Sequence, residues 1–234
     1  MSQLTQSDSK KKESKDQSFD GDVSGYYFGS QNTNWVIIHT EVDDHMYGAS
    51  VTVKNKVTGE TKEDYTCYSR NGTVLVEHNG DVFEKRVDQL KKGDKVFSMK
   101  GCYNRITHLT RQYVKNIEMI KIENSNLLIT KWHPVMINGK WTFPCHSLNH
   151  DKQNYIGYIY NIAVENGSDI VIGSIPVITL GHGIKNDEVA EHPYFGTDKV
   201  IADLNNIPEN EGYINLTNCS YMRDVNGLVS KILI

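Results

Sequence analysis

The chain has 234 residues, enough for one sizeable core with an appendage, and its 38% hydrophobic and 23% charged content is that of an ordinary globular protein. A formal charge of −4 gives no basic surface for nucleic acid, and no apolar run approaches the roughly 20 residues of a membrane span. The opening MSQLTQSDSKKKESKDQ lacks the apolar stretch of a secretory signal, so a cytoplasmic chain is expected, with the Asn-X-Ser/Thr sites at Asn71, Asn166, Asn215 and Asn218 left unglycosylated.

In chain order, residues 1–20 have almost nothing to bury and read as a solvated tail. Trp35 to Val42 reads as a strand, and Tyr47 to Val57 alternates before a Val57-Thr-Gly-Glu60 turn, so 21–66 forms a small β segment. Residues 67–180 are a succession of short β-branched and aromatic runs: 73–76, 82–87, 95–99, 117–122, 127–130, 141–143, 155–164 and 170–180. Asn79-Gly80, Lys92-Gly93-Asp94 and Asn138-Gly139 separate several of them, and Asn-Gly between alternating runs is a strong hairpin signal. With no long helical periodicity in between, the class is all-β. One helical turn is expected at 87–91. Near the C-terminus Thr197 N-caps a short helix with Val200, Ile201 and Leu204 on one face, and Pro208 ends it. Two further short strands flank Asp224-Val-Asn-Gly227.

The four cysteines, at 67, 102, 145 and 219, form no CxxC pair and no zinc-ribbon spacing, so free thiols are expected. Cys102 and Cys145 read as core thiols, and Cys219 falls in a polar, exposed stretch. Cys67 opens the β region directly after Asp64-Tyr65-Thr66. Val87-Asp-Gln-Leu-Lys-Lys-Gly-Asp-Lys-Val96 then makes a turn and a Gly-Asp corner, and Leu127-Leu-Ile-Thr-Lys-Trp-His-Pro134 holds Thr130 and His133 three apart. Taken singly, Cys67 reads as an inert thiol and His133 as a turn histidine. Their order along the chain favours chemistry.

That order resembles the Hint domain shared by inteins and hedgehog autoprocessing domains, and Tyr160-Asn-Ile-Ala-Val-Glu165 with Ile170-Val-Ile-Gly-Ser-Ile175 is similar to its late strands. Thr179-Leu-Gly-His-Gly183, Glu191-His-Pro-Tyr-Phe-Gly-Thr-Asp-Lys-Val200 and the stretch from Arg223 to Val229 resemble the Vint group, Hint domains of proteins that also carry von Willebrand factor A domains. The resemblance implies a Hint-type β fold with a core at 67–183, a Vint-type extension at 184–234, and 21–66 as the end of an upstream segment. It implies self-processing: Cys67 attacks the carbonyl of Thr66 in an N–S acyl shift, His133 protonates the departing nitrogen, and Thr130 holds the geometry. Asp169 and His182 join the implied catalytic set, Asp169 from its place before the last strand. No asparagine stands at the 176–183 junction, so cleavage is expected rather than splicing. No cofactor or metal is called for. The substrate is the chain's own N-terminal segment in cis, in a monomer, with water or a small nucleophile as acceptor.

Three alternatives stay open. The fold could serve as a cleavage-inactive interaction module; Cys67 with a distant histidine could form a multiple-turnover hydrolase; and His182, His192 and Cys145 could hold zinc.

Overall fold

Trp35–Glu41 (β1), Ser50–Asn55 (β2) and Thr61–Glu63 (β3) pair antiparallel in the order β1-β2-β3 in the computed structural model. The structure describes these three strands and residues 66–234, apart from 124, 147–150 and 225–228. The expected tail at 1–20 lies outside the described residues.

From residue 68 onward, turn chemistry sets the hairpins. Tyr68–Ser69 (β4) is followed by Thr73–His78 (β5) and Asp81–Arg86 (β6), joined at Asn79-Gly80. Both turn residues have positive φ, 54° and 90°, the backbone that a two-residue hairpin turn of the primed type requires. A single 3₁₀ turn at Val87–Gln89 leads to Lys95–Phe97 (β7), as the expected turn at 87–91 anticipates.

Two long strands carry the rest. Tyr103–Lys121 (β8) pairs along nearly its whole length with Asp151–Val164 (β12), running antiparallel from Lys121↔Asp151 to Ile106↔Val164. Between them in sequence lie Leu128–Thr130 (β9), Val135–Ile137 (β10) and Lys140–Thr142 (β11), the last two joined by Asn138-Gly139 with φ of 50° and 76°. Asp169–Ile172 (β13) and Ile175–Ile178 (β14) form the last hairpin of this region. One end of the β8/β12 ribbon meets β7 and the other meets β9, so a single ribbon ties both halves of a 13-stranded sheet together. The architecture is all-β with one short helix.

The first half of β8 carries a polar pattern, and its buried face is unusual. Asn104, Ile106, His108, Thr110, Gln112 and Val114 alternate inward, four of them polar. Polar groups go inside where partners await them. His108 bonds Thr107 Oγ1 at 3.0 Å and Asn205 Oδ1 at 3.1 Å, and Thr110 Oγ1 donates to the Asn161 carbonyl at 3.3 Å.

Past 183 the chain caps a short helix, Asp198–Leu204 (α1), with Thr197 accepting from the Lys199 N–H. Glu209–Asn210 (β15) and Tyr213–Asn215 (β16) follow, and β16 runs parallel to β8 through Ile214↔Thr110. Ser220–Arg223 (β17) and Val229–Leu233 (β18) close the chain as an antiparallel pair. Tyr194, Val200, Leu204, Ile214 and Ile232 cluster with Ala163 of β12 and Leu180, so this extension shares its core with the main sheet. Cys219 is buried within that cluster, 5% exposed, because the extension folds over it, whereas Cys102 is exposed beside a turn. Both placements reverse the expectation drawn from local polarity.

Asp169, fully buried at the start of β13, braces the turn after β7. Its carboxylate accepts from Ser98 Oγ at 3.1 Å to each oxygen and from the Met99 N–H at 2.7 Å. Asp169→Ala strands those donors and is expected to cost about 1–3 kcal/mol, read as a lower urea midpoint. An unshifted midpoint would show that the turn is held by other contacts.

Candidate active site

Strand pairing draws the start of the β region into the sheet. Tyr68 lies opposite Ile129 of β9 on one side and Tyr160 of β12 on the other. The peptide bond between Thr66 and Cys67 therefore enters between the end of β9 and the middle of β12.

Both ends of that peptide are gripped by buried side chains. The Cys67 N–H donates to Thr130 Oγ1 at 2.9 Å, and the Thr130 hydroxyl donates in turn to the Cys67 carbonyl at 3.2 Å. The Thr130 N–H also reaches the Cys67 carbonyl, at 2.9 Å. On the other end, Asn161 Nδ2 donates to the Thr66 carbonyl at 2.6 Å. Asn161 Oδ1 accepts from the Ile162 N–H at 2.8 Å, which fixes which way the amide faces. Thr130 is 4% exposed and Asn161 5%.

His133 sits in the turn after β9, wholly buried, its ring centroid 5.3 Å from that of Tyr68 in an edge-on arrangement. Its Nε2 lies 3.0 Å from the Ile178 carbonyl, which only accepts, so the neutral ring carries its proton on Nε2 and a lone pair on Nδ1. Nδ1 has no hydrogen-bond partner. Burial pulls the imidazole pKa down to about 4, partly opposed by the backbones of Ile178 and Thr66. The ring thus stands by the backbone of Thr66, while the N–H of Cys67 is held by Thr130.

The Cys67 side chain packs, partly buried, against the cluster of Val114, Met119 and Ile159. Desolvation there pushes its thiol up to about 12. His182 is partly buried, its Nδ1 accepting from the Ile184 N–H at 3.0 Å. Its pKa is lowered to about 4, first by burial and then by the charge of His133. A Cβ on Gly196 would meet the His182 ring at 2.7 Å, so the ring's position depends on that glycine. Asp169 is not brought to the junction; its recorded hydrogen bonds go to Ser98 and Met99.

Thr66, His133, Asn161, Thr179, His182 and His192 are among the walls of one narrow cavity, with room for water centres of about 30 Å³. Among the described residues no group of three His, Cys, Asp or Glu is arranged to hold a metal ion, and no helix is long and apolar enough to cross a membrane. Asn161 escapes the sequence reading although the run containing it is legible. The available signal is an asparagine in the middle of an otherwise apolar strand, which must find a partner once buried.

The family model for Vint, described as a Hint domain, matches residues 66–231. The chain belongs to the Vint family. The match to this Vint chain begins one residue before Cys67 and runs through α1 into β18. No curated protein matches it. Among solved structures it is similar to the gp41-1 intein, with 14% identity, a TM-score of 0.38, and coverage of 48% of this chain and 98% of that one. It is also similar to the MchDnaB-1 intein, with 9% identity, a TM-score of 0.37, and coverage of 48% and 99%.

The buried imidazole has a consequence for the stability of the Vint chain. His133 resists protonation when folded, at about 4, and titrates near 6.5 when unfolded, so the unfolded state takes up the proton first as pH falls. Stability present above pH 6.5 is therefore lost as pH drops toward 4. Between pH 7.5 and 5, His133 alone is expected to remove on the order of 2 kcal/mol. Urea denaturation across this range checks the slope, which His133→Gln should flatten.

Proposed function

We propose that this Vint domain processes itself, with Cys67 attacking the Thr66 carbonyl to convert the peptide bond into a thioester. One observation carries the reading: a single peptide bond has its carbonyl held by Asn161 at 2.6 Å and its nitrogen held by Thr130 at 2.9 Å. A structural role alone gives no reason to spend two buried side chains, from two different strands, on the peptide that precedes the first cysteine.

The roles follow from the chemistry. As the thiol adds to the Thr66 carbon, negative charge grows on the carbonyl oxygen, where the Asn161 amide already points. The carbon–nitrogen bond then breaks, and the nitrogen of Cys67 needs a proton. With a thiol near 12, the thiolate fraction at pH 7 is on the order of 10⁻⁵, so no ready nucleophile exists. His133, neutral at pH 7 with a free lone pair on Nδ1, accepts the thiol proton and passes it to the leaving nitrogen. Thr130 steers that nitrogen through its hydroxyl. The proton lost by sulfur ends on nitrogen, and the reaction balances. The substrate is the chain's own N-terminal segment, in cis, and the products are fragments 1–66 and 67–234. His182 lines the same cavity as His133.

The test is mass spectrometry of the purified 234-residue chain with hydroxylamine. Cleavage after Thr66, lost in Cys67→Ala, is the expected result; no cleavage, or equal cleavage in both, overturns the proposal and leaves an interaction module. His133→Gln should slow the release by roughly 10²–10⁴. Asn161→Leu should slow it about 10²–10³, the usual loss for one oxyanion donor. A rate unchanged in Asn161→Leu would remove that residue from the mechanism.

A further inference from the structure

The cavity beside Thr66 contains one buried polar group, Thr179, that the acyl shift does not use. Thr179, at the end of β14, is 2% exposed, and its Oγ1 has no hydrogen-bond partner. His133 Nδ1 is the second such atom, and both residues line this cavity together with Thr66. A hydroxyl and an imidazole nitrogen left dry at such burial cost free energy, and a bound water is the ordinary remedy. The cavity has about 30 Å³ of room for water centres, so it can hold a water.

We infer that this cavity holds the acyl acceptor, that the acceptor is a single water placed between Thr179 Oγ1 and His133 Nδ1, and that the chain is therefore a self-hydrolysing domain rather than an acyl transferase. The inference rests on the thioester proposed above. Once the acyl group is on sulfur, the water oxygen adds to the Thr66 carbon and its proton moves to His133 Nδ1. The carbon–sulfur bond then breaks, and the proton goes to the departing sulfur. The products are a carboxylic acid at Thr66 and the free thiol of Cys67, with nothing oxidised or reduced. Asn161 serves the same oxygen in both steps, because the acyl carbonyl is unchanged. A neutral His133, with its pKa near 4, is ready as the base at pH 7.

The experiment is cleavage of the full chain in H₂¹⁸O without added thiol, followed by mass spectrometry, beside a parallel reaction with hydroxylamine. The expected product is fragment 1–66 carrying one ¹⁸O in its terminal carboxylate. Thr179→Val keeps the side-chain shape and removes the hydroxyl, and should lower the ratio of water-driven to hydroxylamine-driven release about three- to tenfold, the worth of one hydrogen bond. Thr179→Ser should restore the ratio. Labelled product with an unaltered ratio in Thr179→Val would assign the hydrolysis to bulk water and overturn the inference. A thioester that persists until a nucleophile is added, or a fragment released as an ester or amide adduct, would overturn it and leave the acyl shift standing. Absence of any hydroxylamine-released fragment overturns both.

Discussion

The proposed chemistry depends on one constrained peptide bond. The carbonyl of Thr66 and the nitrogen of Cys67 are bound by side chains 95 and 63 residues away in sequence, from opposite flanks of the same strand pairing. Each hydrogen bond contributes only about 0.5–1.5 kcal/mol to stability. Their value lies in orientation. Asn161 sits in the interior of a strand paired on both sides, and its amide is locked by the Ile162 N–H, so the donor needs no reorganisation when charge appears on the oxygen. Building the site on β9 and β12 rather than on loops makes its position a property of the sheet.

Protonation states explain why such a bond can remain intact until attack. With the thiol near 12 and the imidazole near 4, the resting pair is uncharged at neutral pH. Separating a proton from the thiol onto the imidazole before attack would cost on the order of 10 kcal/mol on those values. Proton movement must therefore accompany bond formation. Burial causes both shifts, and a buried Asn161 amide would pull more strongly on the oxyanion of the proposed reaction than it would in water.

Much of this is legible in the sequence, and the gaps have physical reasons. Asn79-Gly80 and Asn138-Gly139 specify their turns through positive φ, which asparagine and glycine tolerate, and Thr197 announces α1 through its hydroxyl. Cys67, Thr130 and His133 can be placed as a set by their order, and the backbone of the junction meets both motif residues. The first half of β8 is obscure because its inward residues are polar, and His108 among them meets Asn205, 97 residues distant. Asn161 is obscure for the same reason: a buried amide gains meaning only from the carbonyl it meets. Asp169 shows the converse. Its position before β14 suggests chemistry, yet its carboxylate is taken up by Ser98 and Met99, a pairing 71 and 70 residues apart that no local pattern reveals.

The C-terminal extension belongs to this argument as much as the core does. Val189, Ala190 and Phe195 wall the cavity against Thr66 and His133, and Gly196 makes the space in which the His182 ring rests. The extension is anchored by β16 running parallel to β8 and by a cluster that includes Ala163, two residues beyond Asn161 on the same strand. At Thr110 and Arg111, β8 pairs β12 on one edge and β16 on the other, which fixes the extension to the central ribbon. Desolvation is the first cause of the low pKa of His133, and these extension residues share the walls of its cavity with core residues such as Trp132 and Ile178. A Hint-type core without residues 184–234 would expose that ring and the Thr66 carbonyl to bulk water, which would return the imidazole toward its ordinary value and weaken every electrostatic contact to the bond it serves.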